Sequence, residues 1–211
     1  MPKQFIPLTG ERSTFQETVL RVSDPELFGP PIVVTSDEFR FVVAEQLREI
    51  GVEAEIVLEP QPRESGPAIA VAAVLGAQRD RGQLMLVLPS DHYIPDGEAF
   101  RDACEGAAKG AQDGYVMTLG VRPTAPATGY GYIRAGKATG SGEALTVEAF
   151  VEKPDQATAE RYVEQGFLWN SGNFLFRADV MLDELAMLAP DMRRAAEAAV
   201  ANAKRDLDFL R

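Results

Sequence analysis

The stretch "LMLVLPSDHYIPDG" (84–97) joins an uninterrupted apolar run, Leu84 to Leu88, to a polar corner holding Asp91 and the sequence's only histidine, His92. A strand covered on one face alternates apolar and polar residues, whereas one covered on both faces is apolar throughout. The run therefore predicts a central strand of a layered α/β sheet, stopped at Pro89. In open sheets of this kind ligands bind beyond the carboxyl ends of the strands, so Asp91 falls where a ligand would be met.

Outward from this strand, short apolar runs alternate with helical patterns. Further strands are expected at 31–36, 53–59, 115–121, 130–136, 145–153 and 172–178, and helices at 36–51, 66–80, 96–114 and 155–166. In the 36–51 segment Ser36 is the expected N-cap, with Asp37 and Glu38 in the first turn and Gly51 as the stop. Phe39, Val43, Leu47 and Ile50 share one face of that helix. The C-terminal 178–211 reads as two helices divided near Pro190. Strand–helix alternation predicts right-handed βαβ units and a mostly parallel mixed sheet, while 130–136 and 145–153 pattern as an antiparallel hairpin. The length of 211 residues suits one domain, 1–211, with a core of its own.

Lys and Arg total 21 against 32 Asp and Glu, a formal charge of −11, which argues against nucleic acid or an anionic membrane as a partner. A pocket for a small phosphate ester with a divalent cation remains compatible with that charge, as does a homo-oligomer. Cys104 is the sole cysteine, so an internal disulfide is excluded, and in its Ala-rich stretch it reads as an inert core residue. No apolar run approaches the ~20 residues that cross a bilayer. "MPKQFIPL" (1–8) carries no signal pattern, so a cytoplasmic protein is expected.

Several motifs could carry chemistry. Asp91 can hold Mg²⁺, which takes few protein oxygens and completes its shell with water and substrate phosphates; equally, it can cap the helix that starts near Pro95. His92 alone suits packing better than base catalysis, because no orienting partner is identifiable. "FVEKP" (150–154) brings Glu152 and Lys153 to a strand end, either as acceptor and point charge for a sugar phosphate or as a solvated pair. "FLWNSGNFLF" (167–176) interrupts an apolar run with two amides and a hydroxyl, which need partners, while Gly172 permits close approach or a tight turn. "EPQPRESGPAIA" (59–70) is a Pro/Gly loop, with Arg63 in its middle, leading into a helix start that could receive an anion or a base edge.

Taken in order, "PKQF" (2–5), "LEPQPRESGPAIA" (58–70), "LVLPSDHYI" (86–94), "ATGYGYI" (127–133), "FVEKPD" (150–155) and "WNSGNFLF" (169–176) resemble the sugar-nucleotide pyrophosphorylase family. The six motifs are collinear with the family's, and the pattern is that of members that guanylylate mannose 1-phosphate. The resemblance implies a Rossmann-like three-layer α/β/α nucleotidyltransferase domain. It further implies transfer of GMP from GTP to mannose 1-phosphate with Mg²⁺, giving GDP-mannose and pyrophosphate. By the same resemblance Asp91 would ligate Mg²⁺, Lys3 would meet nucleotide phosphate and Lys153 the sugar phosphate. Glu152 and Asn170 would bind mannose hydroxyls with the Gly131 backbone against the sugar, and Arg63, Pro67 and Ala68 would lie beside guanine. The family's Gly-rich loop and first strand precede "PKQF" and are missing here, so turnover by these 211 residues is not expected. Glu64, Ser65 and Gly66 stand where the family has Asn-Thr-Ala. A non-catalytic binding module on the same scaffold, or transfer to another hexose 1-phosphate, are the competing expectations.

Overall fold

The computed structural model describes residues 1–7, 10–61 and 64–211. In chain order the elements are α1 (Thr14–Arg21), β1 (Ile32–Ser36), α2 (Arg40–Glu49), β2 (Glu55–Glu59), α3 (Ser65–Arg79), β3 (Leu84–Val87), α4 (Gly97–Gln112), β4 (Met117–Val121), β5 (Tyr132–Ala138), β6 (Leu145–Val151), α5 (Gln156–Glu164), β7 (Leu168–Arg177), α6 (Ala178–Leu188), α7 (Pro190–Asn202), β8 (Arg205–Asp206) and β9 (Phe209–Leu210). Short 3-10 turns precede α1 (Lys3–Phe5) and α2 (Asp37–Phe39).

The strands form two groups. In the first, β1 and β2 run parallel in the register Ile32↔Glu55, and β2 is parallel to β9. Val43 and Leu47 of α2 join Phe5, Phe15, Val19, Ile56, Leu58 and Phe209 in one core, with Phe39 and Ile50 packed against it, so the expected α2 face is the buried one. In the second group β7 runs antiparallel to β3, β4 and β5, and β5 pairs with β6 as the expected hairpin. Among the described residues every pair in this second group is antiparallel, and the parallel pairs are those of β1, β2 and β9 in the first. Leu84, Leu86, Met117, Leu119 and Leu175 meet Ala107 and Ala111 of α4 on one face. Alternation sends Met85 and Phe176 to the other face, where α3, α6 and α7 pack together around Ala70, Val74 and Ala196. α3 contacts both β1 and β3 and carries the chain between the groups. The apolar 84–88 run is explained: β3 is covered by helices on both sides.

Three local expectations change. Ser36 precedes the 3-10 turn but its hydroxyl makes no capping bond and is buried without a partner among the described residues. The tail does not stay helical to 211: α7 ends at Asn202, and β8 and β9 form a hairpin that adds Phe209 to the core, its ring 5.9 Å from Phe41. α1 was not expected. Its start is a reciprocal cap, Gln16 N–H donating to Ser13 Oγ at 3.1 Å while Ser13 N–H donates to Gln16 Oε1 at 3.0 Å.

Candidate functional site

Register along β7 builds the site. Trp169 pairs with Val121 of β4 and Tyr132 of β5, whereas Phe174 pairs with Thr118 of β4 and Val87 of β3. β4 therefore occupies one edge of β7 throughout, and β3 and β5 share the other edge. Between them lies a fork, and the polar Asn170–Asn173 run of β7 faces it. Pro89, just past β3, closes one prong: its Cγ would be 3.4 Å from a Cβ on Gly172. Gly131, just before β5, closes the other, its carbonyl accepting the Asn170 N–H at 2.8 Å.

The polar run is a kink within a strand rather than a turn. Gly172 has φ +72, and β4 shifts register opposite it between Thr118 and Gly120. Ser171 donates to the Leu119 carbonyl at 2.7 Å, and Asn173, 3% exposed, donates from its Nδ2 to Ser171 Oγ at 3.0 Å. These two residues serve the fold. Asn170 differs: its Oδ1 accepts from Gly172 N–H at 3.2 Å and lies 3.1 Å from the Thr118 hydroxyl, which leaves its Nδ2 donors without a partner among the described residues. Sequence reading missed Thr118, whose threonine in an ordinary-looking strand gives no signal until the register is known. We expect Gly172→Ala to cost about 1–2 kcal/mol, because a Cβ is strained at this φ and touches Pro89. Denaturant unfolding measures it; an unchanged midpoint would mean the kink tolerates side chains.

On the Gly131 prong, a Cβ at Gly131 would sit 2.9 Å from Glu152 Oε2 and 3.5 Å from the Asn170 Cβ. Gly131, Glu152 and Asn170 thus converge on one point. Lys153 follows Glu152, with Nζ 3.5 Å from Glu152 Oε1, and its φ of +43 is a left-handed conformation uncommon outside glycine. Asp155 is structural: its carboxylate accepts Thr158 N–H at 2.8 Å and caps α5, and the Thr158 bonds hold its pKa below the usual value. Tyr130 packs on Trp169 beside this prong, with ring centroids 4.9 Å apart.

On the Pro89 prong, Asp96 rather than Asp91 caps α4, accepting from Ala99 N–H at 2.9 Å. Asp91 is released from that role and instead meets Lys3, Nζ to Oδ2 at 3.0 Å. Two candidates 88 positions apart in sequence, Lys3 and Asp91, are therefore neighbours. The pair is largely exposed, so it adds little stability, and its value is placement. Burial pushes the His92 pKa down, Asp91 opposes, and Arg21 and Lys3 push it further down, which favours the uncharged imidazole. Cys104 is buried and its thiol is raised to about 11, chiefly by desolvation, which fits the inert role expected.

Asp91 lies two residues beyond Pro89, and Asn170 lies two residues before Gly172 in the opposing strand, so both flank the same contact. Pro67 and Ala68 fall in the first turn of α3, which follows the carboxyl end of β2. Arg63 lies outside the described residues. Among the described residues no helix is long and apolar enough to cross a membrane.

The chain is 51% identical over 212 residues to the xanthan biosynthesis protein XanB of Xanthomonas campestris pv. campestris (strain B100), covering 100% of this chain and 44% of that protein. It is 47% identical to a mannose-1-phosphate guanylyltransferase of Sinorhizobium fredii (strain NBRC 101917 / NGR234), covering 99% of this chain and 41% of that one. The chain thus spans under half the length of these curated relatives. A solved structure described as mannose-6-phosphate isomerase from Helicobacter pylori superposes with a TM-score of 0.86 at 32% identity, covering 100% of this chain and 80% of that chain. The model of the nucleotidyl transferase family matches residues 1–211, and the chain belongs to that family.

Proposed function

We propose that residues 1–211 form one nucleotidyltransferase domain of a cytoplasmic mannose-1-phosphate guanylyltransferase. In this reaction a phosphate oxygen of mannose 1-phosphate attacks the α-phosphorus of GTP. The bond from that phosphorus to the bridging oxygen breaks, pyrophosphate leaves with the electron pair, and GDP-mannose forms. Such a displacement needs positioning and charge neutralisation more than covalent help. The observation that carries the reading is the fork along β7, with Lys3 and Asp91 beyond one prong and Gly131, Glu152, Lys153 and Asn170 at the other.

The donor set suits magnesium. Among the described residues no three Asp, Glu, His or Cys converge, and Asp91 meets Lys3. A lone carboxylate matches a cation that keeps most of its water and borrows phosphate oxygens. Asp91 would hold Mg²⁺, which when bound supplies charge neutralisation at the phosphates. Lys3 supplies a point charge to nucleotide phosphate and Lys153 one to the sugar phosphate. Glu152 accepts from mannose hydroxyls, Asn170 donates through Nδ2, and the bare Gly131 backbone lets the sugar ring lie close. Pro67 and Ala68, at the start of α3, flank the guanine, and Arg63, outside the described residues, is the third residue proposed to meet it.

Isothermal titration of mannose 1-phosphate with Mg²⁺ tests the sugar side. Saturable binding with a Kd of about 1 mM or tighter is expected. Mannose 6-phosphate, with its phosphate on the far carbon, binds more weakly because it cannot satisfy Lys153 and the hydroxyl ligands together. Equal binding of both sugars, or no heat from the 1-phosphate, would overturn the assignment.

A further inference from the structure

Arg21, the last residue of α1, is 8% exposed. It joins none of the ion pairs among the described residues. Burial lowers its pKa, and Glu17, one turn back on α1, and Cys104 offset part of that loss. A cation taken out of water is costly unless its donors are used. What Arg21 touches is therefore informative. Its Nη2 donates to the His92 carbonyl at 3.4 Å, its guanidinium carbon lies 5.4 Å from the Phe100 ring centroid, and its Cγ is 3.9 Å from where a Cβ on Gly97 would stand. All three partners belong to the 92–100 segment, that is, to the turn after Asp91 and to the first turn of α4. The carbonyl that it grips is one residue from the Asp91 carboxylate.

We propose that Arg21 is a positioning residue for Asp91, pinning the His92 carbonyl and the start of α4 to α1 so that the Asp91 carboxylate stays at the mouth of β3. The capping bond of Asp96 fixes where α4 begins, but the residues 90–95 that lead there are in no helix or strand. Without Arg21, this turn hangs between Pro89 and Asp96, and Asp91 samples positions away from Lys3. The inference rests on the reading of Asp91 as the metal ligand. Groups that orient a ligand from behind commonly change metal affinity by about 10–100-fold when removed.

The test compares the 211-residue chain with Arg21→Met, Arg21→Lys, Asp91→Asn and Val43→Ala. Binding of Mn²⁺ in the presence of mannose 1-phosphate is titrated, binding of the sugar alone is measured in EDTA, and backbone amide exchange is followed at 90–95. Arg21→Met is expected to weaken Mn²⁺ about tenfold, to leave sugar binding in EDTA unchanged, and to speed exchange at 90–95 while β1 and β2 stay protected. Arg21→Lys, which keeps charge and one donor, recovers part of the loss. Val43→Ala loosens the core that α1 shares with α2, β1 and β2 but removes no contact to the 92–100 segment, and should leave Mn²⁺ affinity alone. Arg21→Met binding Mn²⁺ like the parent, or Val43→Ala losing as much at matched stability, overturns the proposal. If Arg21→Met does not fold, Arg21→Lys decides by exchange: acceleration confined to 90–95 supports the role and none refutes it. Asp91→Asn separates the two levels. Its loss of Mn²⁺ with Arg21→Met unaffected sinks only the positioning role, whereas Asp91→Asn binding Mn²⁺ like the parent sinks both.

Discussion

Asp91→Asn is expected to weaken Mg²⁺-dependent binding of mannose 1-phosphate about a hundredfold, which is about 2.7 kcal/mol, and to leave binding in EDTA unchanged. The asparagine keeps the size and the carbonyl oxygen but removes the charge that a hard cation requires. The substitution is clean because its side effects are small. Asp96 does the capping of α4, so no helix end is exposed. The Lys3–Asp91 pair is solvent-accessible at 72% and 36% of its side chains, so breaking it should move stability by no more than about 0.5 kcal/mol. Lys3, freed of its partner, can only favour an incoming phosphate, which opposes the predicted loss. A large loss in Mg²⁺ that disappears in EDTA therefore assigns the metal to Asp91, whereas equal loss in both conditions would point to a damaged corner. Affinity unchanged in both would remove Asp91 from the site.

How much of this could be read from the sequence varies by residue. The Leu84–Leu88 run is legible because burial on both faces leaves only one way to write a strand. Asp91 was legible as a position but not as a role, because a carboxylate after a strand caps helices as readily as it binds ions. Only the Asp96–Ala99 bond separates the two. Glu152 and Asn170 stood out by motif, but their meeting at Gly131 depends on β7 sharing one edge between β3 and β5, and no local pattern encodes that pairing. α1 carries a signal in Ser13 and Gln16, a cap spaced three apart, but only a short apolar face follows it. The β8–β9 hairpin carried almost none: two-residue strands after a helix have no period to detect, and Phe209 looks like one more helical apolar residue until β2 is found beside it. Arg21 shows the remaining limit. Arginine at the end of a helix reads as a favourable charge on the dipole, and its burial beneath the His92 carbonyl is purely tertiary.

Phe176→Ala should be the most destabilising single change, costing about 3–5 kcal/mol. Phe176 is fully buried, at 0% exposure, and pairs in register with Met85. Met85 in turn lies close against α3, where a Cβ on Gly76 would be 2.5 Å from its sulfur, so moving the sulfur into a void left by the ring would give up that contact. The cavity would be walled by helix on one side and by paired strands on the other, and neither collapses easily. Against the 5–15 kcal/mol typical of a domain, that loss is a large share. Phe176→Leu, which refills most of the volume, should recover more than half of it. The consequence for the site is indirect. The polar kink at Asn170–Asn173 is held in place by the part of β7 that follows it, and Phe176 anchors that part between the helix layers. Sugar binding by the folded fraction of Phe176→Ala should therefore weaken along with stability, whereas Val147→Ala at an exposed position of β6 should affect neither. If Phe176→Ala unfolds at the parent's denaturant midpoint, the two-sided burial of β3 and β7 is wrong, and the fork that depends on it goes too.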